Sequence, residues 1–289
     1  MPGLFIVATP IGNLEDITLR ALRVLREADA VLAEDTRHTR TLLTHHNIAT
    51  RMFALHAHTP RARIAELAAQ LAGGATFALV TDAGTPLVSD PGAELVRAAI
   101  EADVIVTPIP GASAPLAALV ASGLASPSFE FVGFLPRSGG KRRAALARLT
   151  KASGAVVVFE APNRLRETLE DLATTLGSRR IAVCRELTKL HEEVVRGSGA
   201  ELAARFAEGA RGEITIVIAA PDEPPDARSL DGGEPLDEAA LDRAIDALLD
   251  DGVSARDIAD RLAESTQQPR RDVYQRVLAR RASRSENDT

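Results

Sequence analysis

Residues 79–92 read Leu-Val-Thr-Asp-Ala-Gly-Thr-Pro-Leu-Val-Ser-Asp-Pro-Gly, a pattern that belongs to ligand binding rather than to a plain turn. A strand-like run (76–80) precedes the segment and a helix-like run (93–102) follows it. Open α/β sheets hold their ligands where a strand runs into a loop and then a helix. An ordinary connection needs one or two turn-forming residues, whereas this one carries Asp82, Gly84, Pro86, Asp90, Pro91 and Gly92. Gly84 lets a ligand approach the main chain, and the prolines hold the loop rigid. Asp82 suits capping of the loop's own amides.

Two further loops of the same kind follow strands, Ala-Thr-Pro-Ile-Gly-Asn at 8–13 and Pro-Ile-Pro-Gly-Ala-Ser-Ala at 108–114. Neither is a dinucleotide fingerprint or a phosphate loop. Residues 111–115 fail the nucleophile-elbow pattern because Pro115 takes its last position. His56 and His58 have the spacing of a chelating pair, but no Cys or acidic residue stands beside them, so no metal site is expected.

The chain of 289 residues carries a net charge of −6, yet three runs are strongly basic. Residues 36–65 hold five Arg and no acid, 137–151 hold six basic residues and no acid, and 265–284 hold six Arg against Asp272. Each run alone reads as a solvated helix face; three together in an acidic protein point to a phosphate-binding surface. Aromatics are only 3% with no Trp, which argues against a stacking platform for bases. The single Cys184 excludes an internal disulfide framework and fits a reducing cytoplasm. Neither a signal peptide nor an apolar run of roughly 18 residues that could span a membrane is expected.

These loops need strands and helices to hold them. Strand-like runs fall at 4–9, 30–33, 52–55, 76–80, 104–107, 129–134, 155–159, 181–184, 193–196 and 214–219. Apolar residues at helical spacing lie between many of them, as at 18–28, 61–72 and 163–176. This predicts an α/β chain of two lobes, parallel in its first half, with hairpin-like pairing after Ile181. The lobes are expected at 1–112 and 113–220, joined through the loop at 110–115. Residues 221–235 read as a Pro- and Asp-rich linker. A helical tail follows over 236–289, with helices at 236–250, 255–264 and 270–281, the last one basic, as in a helix-turn-helix module or a plain packing bundle.

Six motifs then occur in order: residues 9–17, Ala33-Glu34-Asp35-Thr36-Arg37, residues 81–92, residues 108–113, Phe159-Glu160-Ala161-Pro162-Asn163-Arg164 and Arg185-Glu186-Leu187-Thr188-Lys189. The ordered set resembles the bacterial ribose 2′-O-methyltransferases that modify a cytidine of the decoding centre in small-subunit (16S) ribosomal RNA. They sit within the tetrapyrrole-methylase superfamily. The resemblance covers residues 3–220 and extends to the tail; Asn163 stands where that family commonly has His.

The resemblance implies a tetrapyrrole-methylase-like fold (a class III S-adenosylmethionine methyltransferase) with its cofactor between two lobes. The cofactor contacts it implies are Pro10, Asp82, Ala83, Gly84, Thr85, Val88, Ser113, Ala114, Phe159 and Glu160. It further implies a homodimer acting on the small ribosomal subunit. A ribose hydroxyl must lose its proton, and Glu34, Asp35, Glu160, Glu186 and Lys189 are candidates to accept or polarise it, each equally suited to a structural ion pair. For RNA phosphates the candidates are Arg37, Arg40, Arg142, Arg143, Arg185, Lys189, Arg270 and Arg271. Two other readings compete. A small-molecule tetrapyrrole methyltransferase would usually carry Gly-x-Gly-Pro-Gly-Asp in its first loop, where this chain has Thr9-Pro10-Ile11-Gly12-Asn13. A non-catalytic RNA-binding protein would not bind S-adenosylmethionine.

Overall fold

The computed structural model describes residues 2–221, 238–250, 253–266 and 269–287. Its first five strands are β1 (Gly3–Val7), β2 (Ala30–Ala33), β3 (Met52–Ala54), β4 (Thr76–Val80) and β5 (Val106–Ile109). They form one parallel sheet in the order β3-β2-β4-β1-β5. Helices α1 (Leu19–Glu27), α2 (Thr36–His45), α3 (Arg61–Ala72) and α4 (Ala93–Glu101) connect them. Parallel strands require such crossovers, and the helices bury both sheet faces, so the strands read as continuous apolar runs. Phe77, Leu79, Leu67 and Leu95 fill one face; Val31, Ala78, Leu25 and Leu43 fill the other. Thr18 caps α1 through the Ala21 amide, and Asp35 caps α2 through the Arg37 amide.

The fifth strand lies two residues beyond its expected position at 104–107. Pro108 pairs opposite Ile6, and β5 is the last strand of its sheet. A proline is tolerated on an edge strand because its missing N–H has no neighbour to serve.

The second sheet comprises β6 (Phe129–Phe134), β7 (Ala155–Glu160), β8 (Ile181–Arg185), β9 (Glu193–Gly197) and β10 (Ile214–Ile218). Its order is β6-β7-β10-β8-β9, with β6 parallel to β7 and all other pairs antiparallel. Helices α5 (Ala114–Ser122), α6 (Gly139–Thr150), α7 (Leu165–Leu176) and α8 (Gly199–Arg205) accompany it. Val156, Val158, Leu165, Leu169 and Ile216 form the core on one face. Ala118 and Leu119 of α5 pack on Val157, Ala182 and Val217 on the other. A bulge in β6 lies between Phe131 and Gly133.

Compact units divide between Pro221 and Asp222. The expected linker falls, from residue 222 on, outside the described residues. Beyond it, α9 (Glu238–Asp250), α10 (Ala255–Thr266) and α11 (Arg270–Asn287) share a core of Leu241, Ile245, Leu248, Ile258, Val273 and Val277. The third helix runs on past its expected end at residue 281. Its basic character is also less than the sequence run suggests. Arg270 is paired with Asp260 at 3.0 Å, Arg276 with Asp242 at 2.7 Å, and Arg280 with Asp246. These acids come from α9 and α10, so counting charge within one run misses them. Arg271 and Arg281 stay exposed. Among the described residues, no helix is long and apolar enough to cross a membrane.

Candidate functional site

The carboxyl ends of β1, β4 and β5 are adjacent, because β1 lies between the other two. Their loops are stitched together. Thr9 and Gly84 exchange two main-chain hydrogen bonds of 2.9 and 3.0 Å. The Thr9 hydroxyl donates to the Thr81 carbonyl (3.2 Å), and the Thr85 hydroxyl donates to that of Ala112 (3.2 Å). Four residues of the β4 loop hold positive φ: Gly84 (83°), Leu87 (72°), Ser89 (73°) and Gly92 (118°). For Leu87 and Ser89 that conformation is costly, and it persists where surrounding contacts over-determine it, as around ligand sites.

A cavity of about 400 Å³ opens between this loop cluster and the second sheet. Of the positions implied for a cofactor, Ala83, Gly84, Thr85, Val88, Ser113, Ala114, Phe159 and Glu160 line it. Pro10 and Asp82 do not. They lie on a smaller cavity of about 120 Å³ with Thr9, His38 and Thr39. There the Asp82 carboxylate accepts the Asp35 amide at 3.1 Å, tying the β4 loop to the start of α2. Asp82 thus ties the β4 loop to α2 and is not among the residues that line the larger cavity.

Several lining residues escaped the sequence reading: Ile11, Ser89, Asp90, Phe134 and the 212–215 segment. Asp90 and Ser89 were legible as part of a Gly/Pro/Asp loop, but not as its cavity-facing members. Nothing local to 212–215 marks it, since it meets the site only through sheet pairing. Asp90 is half-buried, and burial pushes its carboxyl from the ordinary 3.8 up to about 6. A hydrogen bond with Thr81 opposes that rise, while the neighbouring charges of Glu34 and Asp82 add to it. The Thr81 hydroxyl donates to Glu34 at 3.0 Å.

The proposed proton acceptors are placed very differently. Glu160 is buried and its oxygens are taken: it accepts from the Thr168 hydroxyl (2.6 Å), the Ala161 amide (2.8 Å) and Arg164 (3.2 Å). Arg142 closes the same network, bonding Thr168 (3.0 Å) and Asp171 (2.7 Å). It is 5% exposed, so this guanidinium, read from the sequence as an RNA contact, is instead a core ion-pair partner. The basic run predicted its charge, and the helical phase of α6 turned it inward. Arg143, one residue on, is exposed. Glu186 accepts from Lys189 (2.8 Å) and from the Glu213 amide (2.9 Å), and the Lys189 bond holds its carboxyl below the usual range. Lys189 also pairs with Glu213 at 2.8 Å, and Arg185 with Glu193 at 2.9 Å. Arg37 pairs with Asp35, whose carboxyl it holds down to about 2, and keeps its side chain 90% exposed. Arg40 is exposed beside it on α2.

The scarcity of aromatics does not extend to this site. Phe131, Phe134 and Phe159 gather on one side of the second sheet, with ring centroids 4.9 Å (Phe131–Phe159) and 5.4 Å (Phe134–Phe159) apart. A whole-chain percentage says nothing about where the few rings meet.

The model for tetrapyrrole (corrin/porphyrin) methylases matches residues 3–203. A ribosomal RNA small subunit methyltransferase I of Halalkalibacterium halodurans is 48% identical over 217 residues, 74% of this chain and 75% of the relative. One of Micromonospora olivasterospora is 45% identical over 281 residues, 95% of this chain and 86% of the relative, a span that takes in the helical tail. In fold, the chain is similar to a uroporphyrin-III C-methyltransferase of Thermus thermophilus solved with S-adenosylhomocysteine. That likeness has a TM-score of 0.53 at 22% identity and covers 75% of this chain and 97% of the other.

Proposed function

The chain belongs to the tetrapyrrole methylase family, and from that premise we propose that it methylates small-subunit ribosomal RNA with S-adenosylmethionine as donor, at the ribose 2′-hydroxyl of a cytidine. The observation that carries this reading is the close similarity to ribosomal RNA methyltransferases along lobes and tail alike. The cavity suits the donor. Ile11, Val88, Phe159 and Ile214 offer apolar walls for an adenosine. A β-carbon on Gly84 would stand a tight 3.3 Å from Ile11, and its φ of 83° strains any other residue there, so the loop favours glycine on the cavity wall.

When bound, S-adenosylmethionine supplies an electrophilic methyl on a sulfonium whose charge is lost as the methyl leaves. The protein's share is alignment and proton removal. Ala83, Gly84, Thr85, Val88, Ser113 and Ala114 hold the donor against the second sheet. Asp90 takes the hydroxyl proton: it lies on the cavity wall, and a carboxyl near 6 is better matched to neutral pH than an ordinary one. Exposed Arg37, Arg40, Arg143 and Arg271 contact phosphates, which position RNA without reading its sequence. The working form is a homodimer in the cytoplasm, and the assembled small subunit is a better substrate than naked RNA.

Transfer of a tritiated methyl from S-adenosylmethionine tests the reading on assembled small subunits, naked ribosomal RNA and a porphyrinoid acid. Label at a single cytidine ribose of the small subunit is expected. Label on a base, on the porphyrinoid or nowhere would overturn it.

A further inference from the structure

We propose that Phe134 is the platform on which the base of the nucleotide undergoing methylation stacks, an inference that rests on the RNA methyltransferase reading above. Its position follows from the β6 bulge. Phe131 is paired opposite Val157, and after the bulge Gly133 lies opposite Val158 and Phe134 opposite Phe159. In a regular strand, residues three apart point to opposite faces. Had the register run on from Phe131 without a bulge, Phe134 would pair with Glu160 and share the face of Val158, whose neighbours are the buried side chains of α6 and α7. The bulge turns it instead to the side of Phe131 and Val157, where it meets the cavity. Gly133 holds φ at 74°, and a β-carbon there would stand 3.0 Å from the Ser89 hydroxyl across the cleft. Backbone conformation and close approach both call for glycine, so the device is tightly built.

Phe134 leaves 57% of its surface exposed at the cavity rim although an apolar core lies one residue away. Phe159 backs its ring, and Phe131 in turn meets Phe159 edge-on. A supported ring with a free face is suited to a flat partner. A ribose hydroxyl reaches a cleft of this kind when its nucleotide leaves the helical stack, and the unstacked base then needs another π-surface. Other apolar walls, Val88 and Ile214 among them, line the same cavity and suit the donor's adenosine. The rim ring is left for the acceptor.

The test compares wild type with Phe134→Ala, Phe134→Leu and Phe134→Trp, measuring S-adenosylmethionine affinity by calorimetry and methylation of assembled small subunits by steady-state kinetics. Stacking of one base on an aromatic ring corresponds to a loss of about 5- to 150-fold in kcat/KM for the Ala variant. The Leu variant should be similarly impaired, the Trp variant close to wild type, and donor affinity unchanged within about twofold throughout. Parallel loss of donor affinity would show that the ring serves the cofactor's adenine, and full activity of the Leu variant would show plain apolar packing; either overturns the proposal while the RNA methyltransferase reading stands. A wild-type protein that transfers no methyl to the small subunit would overturn both.

Discussion

Asp90 combines a cost to folding with the proton-accepting role proposed for it above. Because its carboxyl is raised from 3.8 to about 6 in the folded protein, folding favours the protonated form. Its contribution to stability is full below pH 3.8 and is lost as pH rises through about 6. Asp90→Asn removes this dependence. It should melt with wild type at pH 4 and be more stable at pH 8 by about 1 kcal/mol, a figure reduced for the solvent screening of a half-exposed group. Methyl transfer by wild type should fall on acidification through pH 6, and the Asn variant should bind S-adenosylmethionine normally and transfer slowly at every pH. Undiminished transfer by that variant would remove Asp90 from the chemistry. Gly84 is the second residue whose replacement is diagnostic. At φ 83°, with Ile11 3.3 Å from the position of a β-carbon, Gly84→Val places a β-branched residue in a left-handed conformation. Calorimetry should detect no donor binding, while circular dichroism shows a folded chain melting several degrees lower. Unchanged affinity would mean that the loop does not form the donor site.

Helix α6 separates two arginines that the sequence presents as equals. Arg142 is buried between Thr168 and Asp171, in the network that fixes Glu160 beneath the cavity. Arg142→Ala should therefore cost about 2–4 kcal/mol in chemical denaturation, since it leaves buried partners uncompensated. Arg143→Glu, on the exposed face, should change stability by less than about 0.5 kcal/mol. It should instead weaken RNA binding and flatten its dependence on salt, because one fewer phosphate contact releases fewer counterions. If the two variants behaved alike in denaturation, the inward turn of Arg142 would be wrong. The strand β6 makes a related point: its residues 129–134 read as a strand from sequence, but the single extra residue that decides which way Phe134 faces is visible only in its pairing with β7.

Over the whole molecule, the residues before and after the Pro221/Asp222 division have separate cores. The stripe Leu241, Ile245 and Leu248, which could have completed a lobe, is buried among Ile258, Val273 and Val277 of the tail itself. Truncation after Ala220 should consequently leave the melting temperature of the catalytic unit and its donor affinity as in the full chain. Methylation of small subunits should drop if Arg271 and Arg281 act as a docking arm. Full activity of the truncated protein would exclude that role, and a large fall in melting temperature would mean that the tail supports the catalytic unit.

Local signals suffice for much of this molecule. Apolar runs long enough for a strand, alternating with helical periodicity, predict nearly every element of both sheets, because burial on two faces writes itself into consecutive residues. The Gly/Pro/Asp loops are equally legible, since few residue types tolerate their backbone. What the sequence cannot reveal is which groups face one another. Asp82 and Asp90 sit eight residues apart in one loop, and the sequence favours Asp82 for the ligand, yet Asp82 ties α2 to the β4 loop and Asp90 lines the cavity. The arginines of α11 read as a free basic surface until α9 and α10 bring Asp242, Asp246 and Asp260 against them. Phe134 ends a strand-like run, and only the bulge in the pairing of β6 with β7 decides which face it takes. Periodicity is a property of neighbours along the chain, whereas pairing, desolvation and the facing of a cleft depend on residues far apart in sequence. Those the tertiary structure alone decides.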